Sequence, residues 1–322
     1  MWSGKRLWAR WIKAGLATLI VAGVGWQFAR LLSTPELWDR EWTLQPGWLV
    51  VSMVAYALGL GFWGAFWLRL LRRVGHAVTP IAGMKAYYVS HLGKYVPGKA
   101  WAILTRVSML DGSVRPGVAA LTATYETLTT MAAGALIAAA TMPWVLPDQQ
   151  STGWQALGLL AIAGIPIMPR VFNVLIARIA RPFVEPNEPL PHVPSLALPE
   201  GLAWAACGWA WLGLSAFAVI VALGIVPAHV GAGFAARCVA FNALSYVAGF
   251  LFLPAPGGLG VREALFQQFL ARELVTWHPE SIAGGLAVLA VVVLRLTWTS
   301  SDLVNAGVAY VWPAKGWLCS PS

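Results

Sequence analysis

Six apolar runs, each close to the length of a membrane-spanning helix, constrain this chain more than any other feature. A helix needs about 20 predominantly apolar residues to cross a bilayer. The runs cover residues 14–32, 48–71, 116–142, 153–169, 200–225 and 281–312. Only 11% of the residues are charged, whereas soluble domains carry about 25%. We therefore expect an all-α polytopic membrane protein with six full transmembrane helices.

Two further regions, 81–110 and 234–276, each contain two apolar pieces separated by a break rich in proline and glycine. We interpret both regions as re-entrant helical hairpins, because broken backbone at membrane depth is tolerated where protein or a water-filled cavity surrounds it. The piece 234–253 is also long enough to cross completely, and that alternative stays open.

The distribution of lysine and arginine predicts the orientation, because basic residues mark cytoplasmic loops. The marking residues are Lys5, Arg6, Arg10, Lys13, Arg69, Arg72, Arg73, Lys85, Arg170, Arg178, Arg181 and Lys315. They place both termini in the cytoplasm if each hairpin leaves the membrane on the side where it entered. The two halves, about 14–170 and 200–312, then have opposite topologies, which is the inverted-repeat plan of many transporters. The proline-rich stretch 182–199 is the expected cytoplasmic linker within a single transmembrane domain, 1–322.

Several functional classes find no support in the residue pattern. The net charge of +9 is scattered between apolar runs, so nucleic-acid binding is not expected. The three cysteines and five histidines show no metal-ligand spacing. Paired carboxylates, a Ser-His-Asp arrangement and a nucleotide-binding pattern are also missing from the sequence. We therefore expect no catalytic residues, no metal and no cofactor.

The stretch HLGKYVPGKAW, residues 91–101, is the first break. Pro97 kinks any helix, and Gly93 and Gly98 permit close approach of other groups. Lys94 and Lys99 add positive charge beside a helix N-terminus, which is a favourable place for an anion. We expect this stretch to bind an anionic headgroup. Further expected lining residues are Tyr95, Trp101 and Arg106.

The second break, LPAPGGLGVREALF, covers residues 253–266. Pro254 and Pro256 end one helix, and three glycines follow, namely Gly257, Gly258 and Gly260. A new helix is predicted from Val261, with Arg262 and Glu263 in its first turn. A helix N-terminus again meets a basic residue, so the two breaks are candidates for one anion site.

Charged residues also lie inside the spans. Glu126 falls near the middle of the third run, where an unpaired ion costs roughly 2.5–3.5 kcal/mol. It needs a cation, from a pool of Lys94, Lys99, Arg106 and Arg262, for structure or for function. Asp302 and Arg295 are predicted to form a structural pair, since they lie about two turns apart on one helix. Asn242 and Tyr246 are expected to bridge helices.

Together, the two motifs and Glu126 resemble the flippase-like transmembrane domain of lysylphosphatidylglycerol synthases over nearly the whole chain. The matching positions are Gly93, Lys94, Pro97, Gly98, Lys99, Arg106, Pro256, Gly257, Gly258, Gly260, Arg262 and Glu263. Glu126 matches an acidic position often followed by arginine, whereas Thr127 follows it here. The resemblance implies a stand-alone member in the bacterial cytoplasmic membrane, without the aminoacyl-transferase domain, so synthase activity is not expected.

Three functions remain open at this level. The first is a translocase for an anionic phospholipid or a polyprenyl-phosphate-linked lipid. The second is a membrane enzyme acting on a lipid headgroup, for which Glu126 with His91 is the candidate pair. The third is a non-transporting partner of a lipid- or glycan-biosynthesis enzyme. A homo-oligomer is compatible with each function.

Overall fold

A computed structural model of the protein describes residues 22–39, 41–76, 78–95, 101–110, 113–145, 158, 161–180, 192–227, 229–251 and 260–311. All regular secondary structure within these ranges is helical. The all-α class predicted from the sequence is therefore confirmed for the described part of the chain.

The helices follow one another with short connections. They are α1 (22–32), α2 (Pro46–Arg73), α3 (Pro80–His91), α4 (Trp101–Met109), α5 (Pro116–Val145), α6 (Pro169–Ala180), α7 (Ala197–Ala222), α8 (Ala232–Leu251), α9 (Val261–Leu274) and α10 (Glu280–Val311). Short 3-10 turns occupy Pro35–Leu37, Leu92–Tyr95 and Ile165–Ile167.

Four described helices are long and apolar enough to cross a membrane, namely α2, α7, α8 and α10. Ala161–Ile167 and Pro169–Arg178, bent by 74° at their junction, make a fifth candidate if they are one broken span. The 30 residues of α5 exceed the length that a crossing needs, although α5 carries several polar residues. A multi-pass membrane protein is confirmed, and the predicted runs 48–71, 200–225 and 281–312 correspond to α2, α7 and α10.

The ends of several helices have recognisable sequence causes. Thr79 caps α3, because its hydroxyl accepts a hydrogen bond from the amide of Ala82 at 3.4 Å, and Pro80 occupies the first helical position. Arg72 and Arg73 lie in the last turn of α2, where positive charge is favoured by the helix dipole. The predicted linker 182–199 ends earlier than expected, since α7 already begins at Ala197.

The chain forms two compact units, each built from separate stretches of sequence. Unit A comprises residues 1–55 and 212–299, and unit B comprises residues 56–211 and 300–322.

In unit B, glycines on α7 allow close contact with aromatic side chains of α2. A Cβ on Gly208 would lie 2.0 Å from Trp63 Nε1, and a Cβ on Gly201 would lie 2.4 Å from Phe66 Cζ. Small residues permit such contacts in membrane helices, where van der Waals packing drives association. The adjacent apolar core contains Phe66, Leu70, Leu121, Tyr125, Phe172, Val193 and Ala197.

In unit A, three helices meet at Ser215. Its hydroxyl lies 2.8 Å from the hydroxyl of Ser52 on α2, and it accepts a 2.8 Å hydrogen bond from Trp298 Nε1 on α10. All three residues are buried. Interhelical hydrogen bonds of this kind join membrane helices that hydrophobicity alone would not hold together.

Candidate functional site

The first predicted break joins two short helices of unit B. α3 has 12 residues and α4 has 9, which correspond to about 18 and about 14 Å. Each helix is therefore shorter than the apolar core of a bilayer, about 30 Å. Gly93 lies where they meet, and a Cβ there would lie 2.6 Å from the amide nitrogen of Ala102. Pro97, Gly98 and Lys99 fall outside the described residues.

Arg106 and Glu126 form a buried ion pair in this hairpin. Arg106 Nη1 lies 2.9 Å from Glu126 Oε2, and the two side chains are only 4% and 3% exposed. Tyr87 donates to the other carboxylate oxygen at 3.0 Å, and Arg106 Nε donates to Ser90 Oγ at 3.2 Å. Glu126 does have a cationic partner, and that partner is Arg106 from the expected pool.

Aromatic rings complete the surroundings of Arg106. Its guanidinium carbon lies 4.3 Å from the ring centre of Tyr87 and 4.8 Å from that of Trp67. A cation over the faces of two aromatic rings is attracted to both. Because the arginine is so fully surrounded, this pair has the character of a structural clamp between α3, α4 and α5. Thr127, the residue after Glu126, contributes only a long 3.5 Å hydrogen bond.

Lys94 pairs with Asp302 in the same unit. Lys94 Nζ lies 2.5 Å from Asp302 Oδ2. The same carboxylate accepts hydrogen bonds from Tyr95 at 2.6 Å and from Tyr56 at 3.0 Å. The predicted pairing of Asp302 with Arg295 is wrong. Residues seven apart on one helix are separated by about 10 Å along its axis, so side chains from other elements reach each charge first.

His91 lies next to this cluster. Its Nδ1 is 3.2 Å from the carbonyl oxygen of Tyr87, and its ring centre is 4.8 Å from that of Tyr87. None of the hydrogen bonds that Glu126 makes within the described part of the chain reaches His91. The proposed acid–base pair of an enzyme therefore gains no support from these contacts.

The second predicted break lies in unit A, where α8 and α9 run antiparallel. The ring of Phe234 is 5.5 Å from that of Trp277, Arg237 pairs with Glu273 at 2.7 Å, and the Phe241 ring stacks on Phe269 at 5.8 Å. His278 also lies 2.8 Å from the carbonyl oxygen of Ile225, just after α7. The chain therefore returns beside the start of α8 after α9.

Glycine is required where α9 begins. Gly260 has φ +86° and caps the helix, a conformation that side chains with a Cβ rarely adopt. Its amide donates to Glu263 Oε2 at 2.8 Å. This contact places the carboxylate of Glu263 at the positive end of the helix dipole. Pro256, Gly257 and Gly258 lie outside the described residues.

Two arginines share the single carboxylate of Glu263. Arg295 pairs closely with Glu263 Oε1, while Arg262 Nη2 lies 3.5 Å from the same oxygen. This set, which we call the arginine cluster, therefore has a formal net charge of +1. The Arg262 guanidinium lies 4.5 Å above the ring of Tyr246, and its Nε is buried without a hydrogen-bond partner among the described residues.

Further unpaired polar atoms lie on the helix that carries Tyr246. Asn242 Nδ2 and Ser245 Oγ are buried and make no hydrogen bond within the described part of the chain. Positions 242, 245 and 246 share one face of α8 because they are three and four residues apart. Buried polar atoms are usually satisfied, so this face is short of partners. The helix-bridging role expected for Asn242 receives no support from its amide nitrogen.

The described part of the predicted site falls into two sets. Lys94, Tyr95, Arg106 and Glu126 lie in unit B, and Gly260, Arg262 and Glu263 lie in unit A. The sequence did not identify Tyr56, Tyr87 and Ser90, which complete the first set, or Arg295 as a member of the second set. Hydroxyl groups on apolar helices carry no distinctive pattern that would have revealed them. The described residues contain no group of three or more His, Cys, Asp or Glu side chains arranged to hold a metal.

Comparison with known proteins identifies one family. The model of the lysylphosphatidylglycerol synthase transmembrane region matches residues 14–297 of the 322. No curated protein matches the chain at a significant level.

Proposed function

We propose that this chain, which belongs to the family of lysylphosphatidylglycerol synthase transmembrane regions, translocates a lipid with an anionic headgroup across the membrane. The headgroup would bind near the two proline- and glycine-rich breaks while the acyl chains stay in the bilayer. Alternating exposure of such a site to the two leaflets is the usual mechanism of transporters with inverted repeats.

The arginine cluster is the observation that carries this proposal. Its carboxylate is shared by two guanidinium groups, so one positive charge remains available for an anion. Arg262 Nε is buried and unpaired, and arginine favours phosphate because several of its donors can bind at once. A bound phosphate would satisfy this donor and neutralise the cluster.

The polar face of α8 supports an amphiphilic ligand with hydroxyl or carbonyl groups. Asn242 Nδ2 and Ser245 Oγ are unpaired donors on the helix whose Tyr246 lies beneath Arg262. A glycerol or sugar group next to the phosphate would offer them acceptors. Leaving such groups unsatisfied costs about 1–3 kcal/mol each, so ligand binding would recover part of that cost.

The contacts divide the predicted site residues by role. Lys94 and Arg106 already have the carboxylates of Asp302 and Glu126 as partners, so their charges are balanced. We assign them to holding the first hairpin in place. Lys99 and Arg262 stay in the proposed headgroup site, together with the glycine and proline residues of both breaks.

We retain six spans and two re-entrant hairpins as the proposed topology. The short lengths of α3 and α4 support the first hairpin, and the antiparallel return of α9 to the start of α8 supports the second. Cysteines introduced at positions 229 and 278 in a cysteine-free background would report this topology. Both should react with an impermeant reagent from outside, whereas labelling from opposite sides would show that the chain crosses between them.

The proposed orientation places both termini in the cytoplasm of a bacterium, with the protein in its inner membrane. Arg69 and Arg73, near the end of α2, contact Glu200 in the first turn of α7, both at 2.8 Å. These contacts support a common membrane face for the two predicted cytoplasmic ends.

Translocation is tested by scrambling of a fluorescent phosphatidylglycerol in proteoliposomes. The double variant Lys99→Ala, Arg262→Ala should lose most of the activity, because it removes the proposed headgroup cations. Arg237→Gln is a matched control, since it removes an arginine paired with Glu273 elsewhere on α8. An unchanged rate in the double variant would overturn the proposed site.

A second candidate function is a non-transporting partner of a lipid- or glycan-biosynthesis enzyme. The balanced pairs Arg106–Glu126 and Lys94–Asp302 favour it, because fully satisfied charges need no ligand. In that case, substitutions in the arginine cluster would lower protein abundance and leave no scrambling activity to measure in the unmodified protein.

A further inference from the structure

A groove of about 400 Å³ lies between α3 and the C-terminal part of α10 in unit B. Ile81 and Met84 form one wall, and Val308 and Ala309 form the other. Ligand pockets of this kind typically measure about 300–1,000 Å³ and are mainly apolar. The groove therefore has the volume and the lining to hold a hydrocarbon chain.

Polar groups lie at restricted places along this groove. Lys85, Tyr88 and Asn305 contribute to its lining. Tyr88 donates to the carbonyl oxygen of Ala57 at 3.0 Å, and Asn305 donates to Ser301 Oγ at 3.1 Å. Those two side chains are engaged within the protein, so Lys85 supplies the charge of the groove.

Lys85 is held in position by neutral groups. Its Nζ donates to the carbonyl oxygen of Tyr310 at 2.8 Å and lies 5.1 Å from the centre of that residue's ring. None of the salt bridges within the described part of the chain involves Lys85. The groove thus combines an apolar channel with a pre-positioned cation that lacks a carboxylate partner.

The surface beside the groove faces hydrocarbon in a membrane protein. Ile81 is 52% exposed, Val308 is 57% exposed, and Leu303 and Val304 next to them on α10 are more than half exposed. An apolar surface of this kind needs lipid as its solvent. Basic pockets between membrane helices bind anionic lipid headgroups.

We propose that this groove is a binding site for an anionic phospholipid, with one acyl chain between α3 and α10 and the phosphate at Lys85. The site uses none of the residues assigned to the translocation site, so it goes beyond the proposed function. Lipid bound there would hold α3 against α10.

The test uses the full chain in mixed micelles with phosphatidylglycerol that carries a diazirine in one acyl chain. After illumination, the yield of cross-links to residues 81–88 and 305–309 is mapped by peptide mass spectrometry and measured against lipid mole fraction. Phosphatidylcholine with the same photoreactive chain serves as the zwitterionic comparison. Lys85→Gln should raise the half-saturating fraction of phosphatidylglycerol about fivefold, toward that of phosphatidylcholine, since one lysine near an anionic surface contributes about 1 kcal/mol.

Two bulky substitutions test the apolar channel. Val308→Trp and Ile81→Trp, on opposite walls, should lower cross-linking of both lipids at this site. Leu303→Trp is the matched control on the same helix outside the groove, and Arg72→Gln is the control for loss of an exposed positive charge. Unchanged binding in Lys85→Gln, an equal loss in Arg72→Gln, or full cross-linking in both groove-wall variants would overturn the proposal.

The same measurement separates this site from the translocation site. Arg262→Gln should leave cross-linking in the groove unchanged, whether or not it alters lipid scrambling. A loss of groove cross-linking in Arg262→Gln would contradict the independence of the two sites and overturn the assignment of the phosphate to Lys85.

Discussion

Lys94 Nζ lies 2.5 Å from Asp302 Oδ2, which joins the turn after α3 to the last long helix of the chain. The carboxylate is fully buried, whereas the lysine side chain is 33% exposed. A pair that is so unequally buried has unequal costs of disruption, because only the lysine can recover hydration when its partner is removed.

Lys94→Met should therefore destabilise the protein more than Asp302→Asn. Removing the lysine leaves a buried carboxylate without its cation, for which the expected loss is about 3–5 kcal/mol. Removing the negative charge leaves a lysine that is partly accessible to solvent. Thermal unfolding in detergent, followed by intrinsic fluorescence, measures both variants. Equal losses, or a larger loss for Asp302→Asn, would contradict this account of the pair.

The Arg106–Glu126 pair should show strong coupling between its members. Arg106→Met and Glu126→Met should each cost about 3–5 kcal/mol, because each leaves a buried charge unpaired. The double variant removes both charges and should recover much of the loss. A double-mutant cycle on thermal unfolding gives the coupling free energy. Additive losses would show that the two side chains act independently.

Gly208→Ala should destabilise unit B. The new Cβ would lie 2.0 Å from Trp63 Nε1, and Trp63 is anchored by a 3.1 Å hydrogen bond to the carbonyl oxygen of Ala205 on the same helix as Gly208. Overpacking of this kind typically costs about 1–3 kcal/mol. Gly307→Ala is the control, since nothing lies within 4 Å of a Cβ there. The idea fails if both variants unfold at the wild-type temperature.

Gly260→Ala should weaken the start of α9. Alanine rarely adopts φ +86°, and backbone strain of this type costs about 1–3 kcal/mol. The variant should lower both the unfolding temperature and the scrambling rate, because the arginine cluster begins one turn later. Gly117→Ala on α5 has open space around the added Cβ and should leave both quantities unchanged. A wild-type scrambling rate in Gly260→Ala would separate the glycine from transport.

Arg262→Lys should have a scrambling rate between those of the wild type and Arg262→Gln. Lysine keeps the charge but loses the planar group that stacks on Tyr246 and the Nε donor. If charge alone attracts the headgroup, Arg262→Lys will match the wild type. If the geometry of arginine is needed as we propose, the rate falls several-fold, about 1 kcal/mol in activation free energy. Identical rates in all three proteins would remove Arg262 from the site.

The long helices were largely predictable from the sequence. α2, α7 and α10 appear as continuous apolar runs, and the broken segments were marked by proline and glycine. The length of the fourth run was less informative, because its described end contains the 74° bend between Ala161–Ile167 and Pro169–Arg178. A bend inside an apolar run changes neither its length nor its composition.

The partners of the charged residues were harder to predict. The cost of burying Glu126 required a cation, and that requirement was correct, but the choice of Arg106 depends on how α3 and α4 fold back on α5. Asp302 shows the limit clearly: the nearest charge along its own helix, Arg295, pairs instead with Glu263. The buried indoles of Trp67 and Trp209, which donate to Thr122 and to the carbonyl oxygen of Thr130, also have no signature in the sequence.

The balanced pairs of unit B determine where the membrane voltage can do work on this protein. Moving one elementary charge through the field changes the energy by about 2.3 kcal/mol per 100 mV. A displacement that carries Lys94 with Asp302, or Arg106 with Glu126, transfers no net charge and is indifferent to that field. The arginine cluster has one excess charge, which an anionic headgroup would cancel. Loaded and empty forms of the cluster would therefore respond differently to the resting potential of the cell.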